Sequence, residues 1–230
     1  NNQHGQLGQN SVVDYSSPVQ VPGTTWNTTT KGSNYSVAIK TDGTLWSWGY
    51  NTRGQLGHNN TTKYSSPVQV PGTTWGSGDQ LSSGHDFVLS IKTDGSLWSW
   101  GSNSYGCLGH NNAHPTGTAS SPVQVGSSTD WAMVRGSQTS AAAIKTDGTL
   151  WAWGMSSGGG AGQLGQNSVV DYSSPVQIPG TNWSKIIPSA PFTFTGLKTD
   201  GTLWAWGANT QGELGVNDKA DRSSPVQIPG

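Results

Sequence analysis

The sequence predicts an all-β chain built from tandem β-propeller blades, four full repeats and a partial one, belonging to a larger ring or assembly. Three observations predict it. "TDGTLWSWG" at 41–49 returns as "TDGSLWSWG" at 93–101 and as "TDGTLWAWG" at 146–154 and 199–207, in steps of 52, 53 and 53 residues. Repeats of that length fall where propeller blades fall, above most helical repeats. Apolar residues alternate rather than recurring every third or fourth position, and Gly or Pro interrupts almost every ten residues, which is strand-and-turn patterning.

Composition narrows the class. Only 31% of the 230 residues are hydrophobic and 10% are charged, yet twelve are tryptophan, and aromatic wealth of that kind is foreign to disordered chains. The Gly, Ser, Thr, Asn and Gln bulk suits many turns between short strands. The formal net charge of −1 with no basic run predicts no general attraction to nucleic acid. No apolar run has the length of a membrane span and residue 1 opens no signal peptide, so no membrane insertion is expected. The lone Cys107 forms no intrachain disulfide.

Each repeat reads as three or four strands: "PVQV", the segment after Trp26, Trp75, Trp131 or Trp183, "SVAIK", and "LWSW". The pairs Asp42-Gly43, Asp94-Gly95, Asp147-Gly148 and Asp200-Gly201 predict two-residue type I′ hairpin loops, in which both central residues take positive φ. In that register Ile39 faces Trp46, Ala38 faces Ser47 and Val37 faces Trp48. Val37, Ile39, Trp46 and Trp48 then share a bulky face, and Ala38 and Ser47 a small one. The same division places Trp98, Trp100, Trp151, Trp153, Trp204 and Trp206 in the core, each blade's indoles filling space above a neighbour's small residues. Their N–H groups are expected to donate to carbonyls in the crowded turns.

Two further signatures follow each tryptophan pair. One is Gly54-Gln55-Leu56-Gly57, with counterparts at 106–109, 162–165 and 212–215. The other is Ser-Ser-Pro-Val-Gln at 65–69, 120–124, 173–177 and 223–227. The first residues carry one more copy of both, at 5–8 and 16–20. A single repeat domain over 1–230 results, with a partial repeat at 1–31 and hairpin-bearing repeats at about 32–83, 84–135, 136–188 and 189–230. Because these ends duplicate rather than complete one another, the expected alternatives are an excerpt of a longer ring, copies joined head to tail, or an open array capped by a partner, with the first two preferred.

The unit at 32–57, Gly-x-x-x-Ser-x-Ala-Ile-Lys-Thr-Asp-Gly-x-Leu-Trp-x-Trp-Gly-x-Asn-x-x-Gly-Gln-Leu-Gly, resembles the repeat of the regulator-of-chromosome-condensation family. It is also similar to bacterial propeller-type β-lactamase inhibitor proteins. The resemblance covers essentially the whole chain and implies a propeller, typically of seven blades. Departures are Ala190 in place of the repeat glycine, Cys107 and Glu213 in place of Gln55, and an insertion at 154–162. The founder's nucleotide-exchange and chromatin roles are not carried over, because its basic tail has no counterpart in this sequence.

No catalytic, cofactor or metal constellation stands out, and the expectation is a non-enzyme. His4, His58, His85, His110 and His114 are dispersed, where zinc requires converging ligands. Asp218 and Asp221 bring too few oxygens for calcium, and the glycine run 158–160 reads as linker. Positions that differ between repeats are the natural seat of a specific site, and loops on a rigid scaffold are where binding concentrates. The candidate protein-binding patch is Tyr50, Arg53, Lys63, Tyr64, Tyr105 and Met155. The expected partner is another protein or further copies of this chain. The alternatives are a self-assembling surface or virion protein and a carbohydrate-binding module using exposed tryptophans; an extracellular, cell-surface or virion setting is preferred.

Overall fold

A computed structural model describes residues 1–112, 117–190 and 192–230; His114 lies outside the described residues. Four antiparallel sheets of four strands follow one another along the chain. The first holds β1 (Trp26–Lys31), β2 (Tyr35–Lys40), β3 (Leu45–Gly49) and β4 (Tyr64–Gln69). The second holds β5 (Leu81–Ser83), β6 (Phe87–Ile91), β7 (Leu97–Ser102) and β8 (Thr118–Gln124). The third runs through β9 (Trp131–Gly136), β10 (Ser140–Lys145), β11 (Leu150–Gly154) and β12 (Tyr172–Ile178). The fourth comprises β13 (Trp183–Ala190), β14 (Thr193–Lys198), β15 (Leu203–Gly207) and β16 (Arg222–Gln227). Every sheet is a meander whose neighbours in space are neighbours in sequence, the arrangement of a propeller blade. Trp26–Lys31, ahead of the repeat boundary at 32, is thus the first strand of the first blade.

The hairpin turn differs from the expected type I′. Gly43 N donates to Lys40 O and Lys40 N to Thr44 O, so the loop has three residues, and only Gly43 takes positive φ, at 77°. This is a type I turn followed by a left-handed glycine bulge. The cause is the Asp42 side chain: its Oδ1 accepts from Thr44 N at 2.9 Å and Thr44 Oγ1 at 2.7 Å. An aspartate bonded two residues onward stabilises a turn without leaving the right-handed region. Asp147 with Thr149, Asp200 with Thr202 and Asp94 with Ser96 repeat it.

One extra loop residue moves the register by one and exchanges the face on which one strand's side chains lie. Trp46 lies opposite Ala38, Trp48 opposite Ser36, and Val37 opposite Ser47. The expected grouping of Val37 and Ile39 with the tryptophans is therefore corrected. Each blade carries a tryptophan face, with Ser36 and Ala38 beneath the indoles, and an aliphatic face of Tyr35, Val37, Ile39 and Leu45. The aliphatic face of one blade meets the tryptophan face of the next. Tyr35, Val37, Ile39 and Leu45 join Trp75, Val88 and Trp100 in one core cluster. Phe87, Leu89, Ile91 and Leu97 join Trp131, Ala141 and Trp153 in a second. Ile144, Leu150 and Ile178 join Trp183, Phe194 and Trp206 in a third.

The twelve tryptophans form four triads. Trp26 meets Trp46 edge-on at 6.2 Å and Trp48 at 6.0 Å, and Trp75, Trp131 and Trp183 do the same in their blades. Trp48, Trp100, Trp153 and Trp206 are buried, each worth about 2–3 kcal/mol of apolar burial. Trp46, Trp98, Trp151 and Trp204 are half-buried, with Lys40, Lys92, Lys145 and Lys198 lying over their rings. Gly196 is needed beneath its triad: a Cβ there would sit 2.7 Å from the Trp183 ring.

Candidate functional site

The inner-strand turns and the long connections after the second tryptophan emerge at one end of the blades, and the Asp-Gly hairpins at the other. All six candidate residues belong to the first end. Their loops are rigid for identifiable reasons. Asn51 is fully buried and its Oδ1 accepts from Leu56 N at 2.9 Å, while Nδ2 donates to Thr62 O and Asn60 O. Asn2, Asn103 and Asn209 staple their loops in the same way. In the third repeat Ser156 and Ser157 donate their amides to Asp171 instead.

The structure brings Tyr50 and Lys63 together. Lys63 Nζ stands 4.8 Å from the Tyr50 ring centroid and 3.5 Å from His4 Nδ1, and the His4 and Tyr50 rings are 4.6 Å apart. Arg53, exposed in the same loop, donates its amide to Gln55 Oε1. Tyr64 is directed elsewhere: its ring meets His58 edge-on at 5.2 Å, and Asn60 Nδ2 donates to its hydroxyl. Tyr105 is 45% exposed in the second blade's loop with φ of 59°, and Met155 is half-buried in the third, accepting from Thr139 Oγ1. Among the described residues no contact joins Tyr105 or Met155 to the Tyr50–Lys63 pair. The patch is therefore one tight aromatic-cationic cluster with two outlying positions on successive blades.

Sequence reasoning missed what surrounds it. His85 Nδ1 lies 3.0 Å from Asp86 Oδ2, and Gln55 Nε2 donates to Asp86 Oδ1, linking first and second blades at this end. Tyr35 Oη donates across the same junction to Phe87 O at 2.6 Å, and burial pushes its phenol well above the ordinary range. His58 and His110 are internal to their blades. Ser47 Oγ donates to Leu56 O, so its 3.0 Å contact with His58 Nε2 makes the ring nitrogen the donor. Ser99 and His110 repeat the arrangement. Burial holds both imidazoles below their usual value. The signal was present in the sequence: where the strand carries Ala152 or Ala205 instead of serine, the loop carries Gln166 or Val216 instead of histidine.

Cys107 is buried with its thiol facing Ser102 O, and burial pushes it up to about 12, leaving no thiolate nucleophile. The aspartates of the hairpins, held low chiefly by the Thr or Ser hydroxyl, face solvent as turn residues. Asp218 and Asp221 are engaged by Asn209, Ala220 and Arg222 within their own loop. Among the described residues no three His, Cys, Asp or Glu side chains converge as metal ligands, and no helix is long and apolar enough to cross a membrane. A cavity of about 740 Å³ lies between second and third blades against Val123, Trp131, Lys145 and Trp151. There Lys145 pairs with Asp130 and Ser128.

The second tryptophan of each blade closes the interblade seam. Trp100 Nε1 donates to Gln55 O, Trp153 to Cys107 O, Trp206 to Gln163 O, and Trp48 to Gln6 O, at 2.9–3.1 Å. The acceptor is always the second residue of the Gly-x-Leu-Gly signature, which explains why that signature recurs at the spacing of the tryptophans.

Comparison with known proteins agrees with this geometry. The regulator of chromosome condensation (RCC1) repeat matches residues 42–91, 94–144, 147–188 and 200–230. The ultraviolet-B receptor UVR8 of Arabidopsis thaliana is 28% identical over 214 residues, covering 91% of this chain and 48% of UVR8. The chain thus spans about half the length of that relative. Human WBSCR16 superposes with a TM-score of 0.82 at 23% identity, over all of this chain and 61% of that one. Prp20p of Saccharomyces cerevisiae does so at 0.79 and 15%, over 93% and 53%. These two likenesses show the fold, and the repeat matches, which take in most of the sequence, show the lineage: the chain belongs to the RCC1 repeat family of β-propeller proteins.

Proposed function

We propose that this chain is a non-catalytic protein-binding module. Its docking surface is the loop end of the first three blades, with Tyr50, Arg53 and Lys63 at the centre and Tyr105 and Met155 outside them. The observation that carries the reading is the His4–Tyr50–Lys63 cluster, an aromatic ring flanked by an imidazole and the Lys63 ammonium on a loop fixed by a buried asparagine. Tyrosine and arginine anchors on rigid scaffolds are favoured in protein interfaces, and the local charge suits an acidic segment of the partner. Prp20p, a structural relative, has binding properties toward Gsp1p and histones; protein recognition on this fold is therefore a fitting role, with the partner set by the loops. Tyr64 contributes by holding the loop against His58.

The test is the triple variant Tyr50→Ala, Arg53→Ala, Tyr105→Ala, compared with the parent chain in cross-linking and capture from the native source. Captured proteins should be lost while circular dichroism and the unfolding midpoint stay unchanged. Retention of the same partners by the triple variant would defeat the patch.

A further inference from the structure

One interblade seam departs from the others at a turn the repeats otherwise share. Before Trp26, Trp75 and Trp183 the chain turns through four residues that begin Pro-Gly, at 22–25, 71–74 and 179–182. Before Trp131 it takes five, Gly126-Ser127-Ser128-Thr129-Asp130. Thr25, Thr74 and Asn182 hold positive φ in the short turn, whereas neither Thr129 nor Asp130 does. The Pro-Gly turn lies against its indole: a Cβ on Gly23, Gly72 or Gly180 would stand 3.6–3.8 Å from the Nε1 of Trp26, Trp75 or Trp183. A Cβ on Gly126 would meet nothing within 4 Å.

Where that turn lengthens, the cavity of about 740 Å³ opens between the second and third blades. Trp131 is 4% exposed, and its Nε1, which can only donate, has no acceptor among the described residues. The other inner tryptophans lack an acceptor too, but their turns lie against them, whereas Trp131 lines the cavity. Lys145 is drawn aside here: Asp130 Oδ1 lies 3.1 Å and Ser128 Oγ 3.0 Å from its Nζ. That Nζ stands 5.1 Å from the Trp151 ring centroid, against 4.0–4.4 Å for Lys40, Lys92 and Lys198 over Trp46, Trp98 and Trp204. The withdrawal leaves the Trp151 face less covered than its counterparts.

We propose that this cavity binds a neutral saccharide, one sugar ring packing its C–H face on Trp151 and Val123 while a ring or hydroxyl oxygen accepts from Trp131 Nε1. The lining selects that class. Lys145 is its one charged side chain besides His110 among the described residues, and Asp130 already neutralises it. His110 is bonded to Ser99, so no free charge awaits an ionic ligand. Gln124, Asn111, Asn112 and Ser174 add amides and a hydroxyl that both donate and accept. These match a polyol; a hydrocarbon would leave them and the indole N–H unmet. An extended peptide added along β8 is less suited, because Pro122 removes a donor from that strand. The volume lies within the range of small-ligand sites. This site is separate from the Tyr50 patch and independent of it.

Titration of the chain with glucose, galactose, mannose and N-acetylglucosamine, as monomers and as linear oligomers up to the tetramer, tests the proposal. Glucuronate and tetra-alanine serve as the anionic and peptide arms. The readouts are tryptophan fluorescence and the indole N–H resonances of 15N-labelled protein, with Trp131 and Trp75 assigned from their Phe variants. At least one neutral saccharide should bind saturably and shift the Trp131 indole resonance while leaving that of Trp75 in place. Replacing residues 126–130 with Pro-Gly-Thr-Thr, the turn at 71–74, should close the cavity and weaken binding at least about tenfold, and Trp151→Ala should do the same. Trp98→Ala, at the same position of the second blade, should leave binding unchanged. Circular dichroism confirms that each variant is folded, and Trp151→Ala decides alone should the turn replacement fail to fold. Saturable binding by none of the neutral saccharides overturns the proposal, whether or not glucuronate or tetra-alanine binds. So does binding that survives a folded variant of either kind, and so does a shift at Trp75 in place of Trp131.

Discussion

Gly57 and Gly215 occupy the same place in the repeat, with φ of 78° and 67°, but only Gly57 lies in an internal seam. Alanine at either site costs about 1–2 kcal/mol for holding a β-carbon in the left-handed region. At Gly57 the new carbon would stand 2.8 Å from Trp100 Nε1 and 3.1 Å from Cδ1, too close for the ring to stay. Trp100 is fully buried and its N–H donates to Gln55 O. Moving the ring strands that donor, a loss of about 1–3 kcal/mol. Gly57→Ala should therefore cost roughly 2–5 kcal/mol. Gly215→Ala, which meets only Ile228 at 3.8 Å, should cost no more than the backbone share of about 1–2 kcal/mol. Urea unfolding followed by tryptophan fluorescence, at a concentration where the chain is monomeric, measures both. Equal losses at the two glycines would show that the tryptophan-to-loop seam is not what fixes Gly57.

Protonation gives a second test. The His58 and His110 imidazoles are held low by burial, whereas in the unfolded chain they titrate near about 6.5. Their contribution is intact above that value and is lost as pH falls through it towards the lowered folded values. His58→Gln with His110→Gln, the residue present at Gln9 and Gln166, should flatten the stability profile below about pH 6.5; an unchanged slope refutes the assignment. The hairpin relay gives a third. Thr149 Oγ1 donates to Asp147 and accepts from Trp151 Nε1 at 3.0 Å. Thr149→Val should cost about 1 kcal/mol and speed exchange of the Trp151 indole proton, while Thr149→Ser should do neither. A silent valine variant would remove the relay from the account.

Much of the fold was legible in the sequence because the repeat exposes it. Four copies of the paired tryptophans fix the period, and alternation fixes strands over helices. The turn was not legible, because Asp-Gly suits two loops that differ by one residue. What decides between them is the Thr or Ser after the glycine, at 44, 96, 149 and 202, which bonds both the aspartate and the first indole. That one residue carried the wrong assignment of faces with it. The recurrent Lys40, Lys92, Lys145 and Lys198 were in view as well, but their place above the tryptophans depends on the corrected register. At the candidate site, differences between repeats picked out loops that emerge together at one end of the blades. They did not reveal that Tyr64 turns inward to His58, since a side chain's direction within a loop depends on tertiary neighbours.

The corrected register also changes what kind of array this is. Blades with one bulky and one small face could nest in either order. Blades with an aliphatic face and a tryptophan face stack in one direction only, because the indole donors of one blade require the Gly-x-Leu-Gly carbonyl of the blade before it. Polarity is thus written into each repeat by a hydrogen bond, not only by shape, and every seam has a donor side and an acceptor side. Two tryptophan faces brought together would leave buried N–H groups without acceptors, each a loss of about 1–3 kcal/mol, so a face-to-face pairing of copies is disfavoured by the same groups that hold the blades together.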